Sequence, residues 1–219
     1  MNRIARPIAV YLLSLGAAGI ALLLYPIRLL RKAVIRRTFS LWTGTPILTI
    51  AFKARAERLL GADARSLAVF TYFTSASFDY NLSRWRSLPY VGPLVPFLAF
   101  IWACVRADRI HCFFDRALLA QIRPFQFNAV EAGTYRLLGI RLFVWSYGGD
   151  VRVRPATVAL GSPHCCEECT EVGRACICEP ARHERNLATL RRYATAMFTM
   201  GDMSEYSLWL DSVYNKERR

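Results

Sequence analysis

The chain has 219 residues, is 54% hydrophobic and carries a formal charge of +13. That length suits one large domain with a short appendage and a sizeable core. A high apolar fraction with so much positive charge argues against a free cytosolic enzyme and for a basic protein at an anionic membrane. Nucleic acid, the competing partner for such charge, is not expected. The basic residues are densest beside the first apolar segment, and no reading-helix or RNA-binding signature is present.

Residues 7–27 are almost wholly apolar and long enough for a helix to cross the hydrocarbon core. No small-residue cleavage site follows, so a candidate membrane span is expected rather than a removable signal peptide. Arg28, Arg31, Lys32, Arg36 and Arg37 outnumber Arg3 and Arg6. The positive-inside rule therefore places everything after the segment on the cytoplasmic side of the inner membrane. An in-plane helix is the open alternative, given Gly16, Gly19 and the basic flanks.

Residues 39–42 then read as a strand, and Thr43-Gly44-Thr45-Pro46 as a loop feeding a helix over 46–60. Thr45 is expected at the N-cap, Pro46 at the first helical position and Gly61 just past the end. A glycine-containing strand-to-helix turn with free backbone N–H groups suits phosphate or sugar oxygens, although a plain tight turn has the same sequence. A second strand is expected at 66–73. The polar and aromatic stretch 74–88 is either an acceptor-contacting loop or an ordinary connection.

Residues 88–105 form a second apolar stretch, but Pro89, Pro93 and Pro96 leave about ten residues of uninterrupted helix, too few to span a bilayer. Trp102, Arg106 and Arg109 suit headgroup depth, and packing against the sheet is the other reading. A third strand follows at 109–114, ending in Asp115, with His111 read as a core residue. Residues 128–138 read as a helix closed by Gly139.

The stretch from Arg141 to Arg152 reads as a central strand buried on both sides that stops abruptly at Gly148-Gly149-Asp150. The two glycines let a ligand approach the backbone, while Asp150 offers a carboxylate and Arg152 a fixed positive fork. Downstream lies a cysteine-rich insertion at 164–183. Cys166, Cys169, Cys176 and Cys178 offer four thiolates to a structural zinc; free thiols and disulfides remain alternatives. Cys104 and Cys112 stand apart in apolar surroundings and read as buried small hydrophobes. A helix at 185–192, a strand at 194–200, a turn at Gly201-Asp202-Met203 and a final helix over about 204–214 complete the chain. Alternation of strand and helix demands right-handed crossovers and a parallel α/β sheet with helices on both faces. The division is residues 1–37 as membrane anchor and basic flank, and 38–219 as the α/β domain.

In order, the Thr-Gly-Thr-Pro loop at 43–46, the Asp-Arg-Ile-His strand at 108–111, the Tyr-Gly-Gly-Asp turn at 147–150 and the run Ala-Thr-Ala-Met-Phe-Thr-Met-Gly-Asp-Met at 194–203 define a pattern. It resembles the N-terminal, acceptor-side Rossmann-like domain of GT-B glycosyltransferases of the retaining, nucleotide-sugar type. The resemblance implies a membrane-associated transferase, or its acceptor-binding half, moving a sugar from a nucleotide-sugar donor to a glycan or lipid-linked acceptor, with no cofactor required for transfer. It implies that Asp150 orients the acceptor as the catalytic residue, a turn-capping carboxylate being the other reading of it, and that Gly44, Thr45, Tyr147, Gly148, Gly149, Arg152 and Asp202 line the cleft. Family members often place a histidine where this chain has Tyr147, and they bind the donor mainly through a second domain. A separate donor-binding domain or subunit is therefore an implied partner. The alternative is a non-catalytic membrane-bound scaffold or binding subunit with a zinc-stabilised partner surface.

Overall fold

The computed structural model describes residues 5–71, 77–123, 125–174, 176–199 and 211–212. Its strands are β1 (Phe39–Trp42), β2 (Asp63–Ala68), β3 (Tyr80–Asn81), β4 (Arg109–Phe113), β5 (Arg141–Trp145), β6 (Ala196–Thr199) and β7 (Asp211–Ser212). They form one sheet in the order β3-β2-β1-β4-β5-β6-β7, every neighbouring pair parallel. The helices are α1 (Ala5–Leu23), α2 (Tyr25–Val34), α3 (Leu48–Leu59), α4 (Ser83–Arg86), α5 (Val95–Arg106), α6 (Ala129–Leu137), α7 (Arg154–Ala159) and α8 (Pro180–Tyr193).

Alternation along the strands produces two cores on opposite faces. Leu41, Leu67, Ile110, Cys112, Leu142 and Val144 point to one side, where Phe100 of α5, Tyr135 of α6 and Leu190 of α8 cover them. Trp42, Ala68 and Phe113 point to the other, against Ile50 and Ala54 of α3. Helices on both faces of a parallel sheet are what the alternating pattern demanded. Cys104 and Cys112 belong to the larger core, as their apolar surroundings implied.

Several boundaries differ from the sequence reading, each for a physical reason. Helix α3 starts at Leu48, because Thr45 turns its hydroxyl toward Asp115 instead of capping the helix. Strand β2 lies at Asp63–Ala68 rather than 66–73, its polar Asp63 and Arg65 obscuring the apolar signal while pairing in register with Phe39 and Leu41. Pro180 occupies the first turn of α8, which therefore begins earlier than residue 185. Helix α7 was not anticipated. Asp211 and Ser212, expected in a terminal helix, instead pair with Phe198 and Thr199. Strand β5 is flanked on both sides but is buried on one face only: Leu142 and Val144 are buried, whereas Phe143 and Trp145 are half-buried. The middle strand is β4.

The first helix is apolar enough to cross a membrane over Arg6–Leu23. It also docks on the α/β layers. Ser14, Ala17, Ala18 and Ala21 form a buried stripe of small residues at helical spacing, which lets α1 approach α5 and α6 closely. Halfway along the helix, Asn128 Nδ2 donates to Ser14 Oγ at 2.9 Å. Asn128 also caps α6, its Oδ1 accepting from the Val130 and Glu131 N–H groups. The remaining circumference of α1 exposes Ile8, Tyr11, Leu12, Leu15, Ile20 and Leu23.

Candidate functional site

Strand order reverses between β1 and β4: the chain leaves β1 toward β2 on one side and β4 toward β5 on the other. Loops that depart in opposite directions open a crevice outside the carboxyl ends of the strands, the place where open α/β sheets take ligands. Gly44 and Thr45 follow β1 there, Asp115 and Arg116 follow β4, and Tyr147 to Asp150 follow β5. The rim is thus common to Gly44 and Asp150. Asp202 lies outside the described residues.

Gly44 sits at φ +113°, and a Cβ there would stand 2.8 Å from the Arg116 carbonyl oxygen. Only glycine allows β1 and β4 to end this close together. One residue on, Thr45 donates to the Asp115 carboxylate at 3.3 Å, and the Thr45 and Tyr147 hydroxyls share a hydrogen bond. Arg116 Nε and Gln121 Nε2 each donate to Asp115 Oδ2, at 3.1 and 3.0 Å. The Asp115 side chain is 1% exposed, and burial pushes its acidity down, with Arg116 opposing the shift. The ends of β1 and β4 are therefore tied through a single carboxyl group, and Thr45 links the end of β5 to it.

Asp150 performs the parallel task for β4 and β5. It is 0% exposed. Its Oδ1 accepts from the Tyr147 and Gly148 N–H groups at 2.9 and 3.0 Å, and Oδ2 accepts from Phe114 N at 3.2 Å. Burial first, then the nearby Asp115, raises its pKa, while those three N–H donors pull the other way. The same burial and the same two carboxyl groups push the Tyr147 phenol upward. Asp150 thus reaches the rim as an inward-facing staple of the β5 turn, with Gly148 at φ +115° making that turn possible.

The remaining expected groups separate from the crevice. Gly149 accepts from Ile177 N through its carbonyl, and the Arg152 carbonyl accepts from Cys178 N, so the end of the cysteine-rich segment is stitched to the β5 turn. The Arg152 side chain hydrogen-bonds Cys176. Cys166 and Cys178 are buried, Cys169 is exposed and Cys176 lies between, and all are free thiols. Among the described residues, no group of three or more His, Cys, Asp or Glu side chains is placed to hold a metal ion. The expected zinc set Cys166, Cys169, Cys176 and Cys178 is therefore not assembled: Cys169 turns outward, while the Cys178 sulfur accepts from Gly173 N at 3.2 Å.

His111 is a core residue, as read. It is stacked between Trp42 at 4.0 Å and Phe143 at 4.9 Å, and burial, aided by Arg109 and Lys53, lowers its pKa to about 3. No family model, curated protein or solved structure matches the chain.

What the rim can offer a ligand is therefore positive and backbone-lined rather than nucleophilic. Asp115 and Asp150 spend their oxygens within the chain. Arg116, held by Asp115 through Nε, is the partly exposed charge at the switch point. Arg116 and Gln121 were missed in the sequence; the signal was the acidic residue closing β4 as Asp150 closes the β5 turn, with an arginine directly after it.

Proposed function

We propose that the chain is the acceptor-side domain of a membrane-attached glycosyltransferase, taking a glycan or lipid-linked acceptor at the rim while a separate domain or subunit holds the nucleotide sugar. The observation that carries this reading is the convergence of Gly44, Thr45, Asp115, Arg116 and Tyr147 at the switch point of a parallel sheet. The order of the motifs at 43–46, 108–111 and 147–150 supports it. Transfer would depend on positioning and on charge stabilisation of the leaving diphosphate. Asp150, with its oxygens facing inward, would hold the β5 turn in shape instead of touching the acceptor. Full chain in native membranes, supplied with labelled nucleotide sugars, is expected to label a membrane-extractable product, and Arg116→Gln is expected to lower that labelling at least tenfold. Absence of labelled product with every donor, alone or with co-purifying proteins, would remove the transferase reading. A binding subunit without turnover is the second reading, favoured by the internal engagement of both rim carboxyl groups.

We further propose that α1 lies in the plane of the membrane, facing the cytoplasm, rather than crossing it. Its midpoint is hydrogen-bonded to Asn128, and it runs beside α5 and α6, so a vertical α1 would drag charged residues of α6 such as Arg136 into hydrocarbon. In-plane, the exposed Ile8, Leu12, Leu15 and Leu23 meet the acyl boundary while the basic flanks meet anionic headgroups. Epitope tags at the two termini are expected to be accessible from the same side of sealed vesicles. Accessibility from opposite sides would show a spanning helix.

A further inference from the structure

A cavity of about 510 Å³ opens at the rim on the side where α1 begins, lined among others by Arg6, Gly44, Phe70, Arg86, Arg116 and Gln121. Three arginines from three distant parts of the chain share it: the start of α1, the end of α4 and the residue after the β4 carboxylate. Among the described residues, Arg6 and Arg86 have no ion-pair partner. Arg116 is held by Asp115 through Nε, which fixes the guanidinium at the cavity wall, and it also lies 5.4 Å from the Phe70 ring. Gln121 is committed to Asp115 and to Phe125 N, so the cavity's uncompensated polarity is cationic.

Clustering like charges is unfavourable by itself, and a multivalent anion with several acceptor oxygens relieves it. Arginine forks match phosphate oxygens in geometry as well as charge. The apolar surroundings indicate where such an anion comes from. Ile8, Tyr11 and Leu12 follow Arg6 on the exposed side of α1, and exposed Tyr90, Val91 and Leu94 follow Arg86. We propose that this cavity binds a phosphate or diphosphate group, with Arg6, Arg86 and Arg116 as its ligands. The assignment deepens the proposed function at the same rim by naming the charged part of the acceptor, and it rests on that rim being the ligand-facing edge of the sheet.

The test uses the full chain in nanodiscs of neutral phosphatidylcholine, titrated with inorganic pyrophosphate and with dioctanoyl phosphatidic acid. Saturable binding is expected, weakened roughly tenfold or more by Arg86→Gln and by Arg116→Gln, each of which removes one charge-assisted contact. Arg185→Gln, which removes an exposed charge elsewhere, is expected to leave binding unchanged. Among the described residues the Arg86 side chain makes no hydrogen bond, so its variant remains informative should Arg116→Gln disturb Asp115. Tighter binding of the lipid than of pyrophosphate supports the site and assigns a lipid headgroup; equal binding supports it and assigns a free phosphate. No saturable binding of either probe, or the same weakening by Arg185→Gln as by Arg86→Gln, overturns it. Phosphate binding without glycosyl labelling would keep the site and remove the transferase reading. Labelling by a chain that binds neither probe would do the reverse.

Discussion

Replacing Arg28 with methionine is expected to destabilise the fold by about 3–5 kcal/mol, the usual cost of leaving the partners of a buried charge uncompensated. Arg28 is 1% exposed although it follows a long apolar helix and precedes more basic residues. Its Nε donates to the Leu138 carbonyl at 3.2 Å, and Nη1 donates to the carbonyls of Cys104 and Ala107 at 3.0 and 2.5 Å. Those oxygens belong to the ends of α5 and α6, where helices leave carbonyls without partners and carry a partial negative charge. Nη2 completes the set with Asp108 at 3.3 Å, and Asp108 also accepts from Phe39 N at the start of β1. One guanidinium therefore closes two helix ends and ties α2 to the strand that opens the sheet. Arg28→Lys is expected to recover little, because an ammonium cannot reach this fork of acceptors. Denaturant unfolding in detergent checks both variants; a loss below about 1 kcal/mol for Arg28→Met would mean that the helix ends are satisfied in another way.

Arg28 also shows why part of the structure was hidden in the sequence. Basic residues after an apolar segment carry the same letters whether they meet headgroups or helix carbonyls, and only tertiary packing separates the two. Where local physics decides, the sequence was explicit. The strand Phe39–Trp42, the helix beginning about Asn128 and the αL glycine at Gly139 were all readable, because each depends on neighbours within a few residues. The rim was half legible. Its glycines announced themselves through the positive φ that a tight strand end requires, and Gly44 and Gly148 adopt it. The division of labour among its acids did not, because Asp150 has the same turn chemistry whether it faces a ligand or its own backbone. Asp115 was visible only as the end of a strand, since its partners Thr45 and Gln121 come from different segments. The cysteine spacing misdirected most: a four-thiol pattern says nothing about which sulfurs point outward.

Glu131 is expected to make stability fall as pH rises from about 4.5 to 7, against His111, whose pKa burial lowers from 6.5 to about 3 and which therefore works in the opposite sense up to about 6.5. Glu131 is 0% exposed and accepts from Leu118 N at 2.8 Å, Leu119 N at 3.0 Å and the Tyr135 hydroxyl at 2.6 Å. Burial raises its pKa from the ordinary 4.5 to about 7, against the pull of those three donors. The folded state then holds a proton that the unfolded chain has released. Its contribution is fully present below about 4.5 and is lost as pH rises through about 7, a swing of roughly 3 kcal/mol for one such group. Burial shifts Asp115 and Asp150 in the same direction, so they add to the trend and do not oppose it. Glu131→Gln cannot ionise, so its stability relative to the parent's, read from denaturant unfolding, should rise as pH rises from about 4.5 to 7. A difference that does not change with pH would assign the linkage to Asp115, Asp150 and His111 instead. Glu131→Ala is expected to be the more damaging change at every pH, because it leaves the Leu118 and Leu119 N–H groups buried without an acceptor. Those two residues also line the arginine cavity, so releasing them would loosen the wall that carries Arg116. Anion binding should then weaken in Glu131→Ala although no arginine has been touched, which links the buried acid beneath the loop to the charge displayed above it.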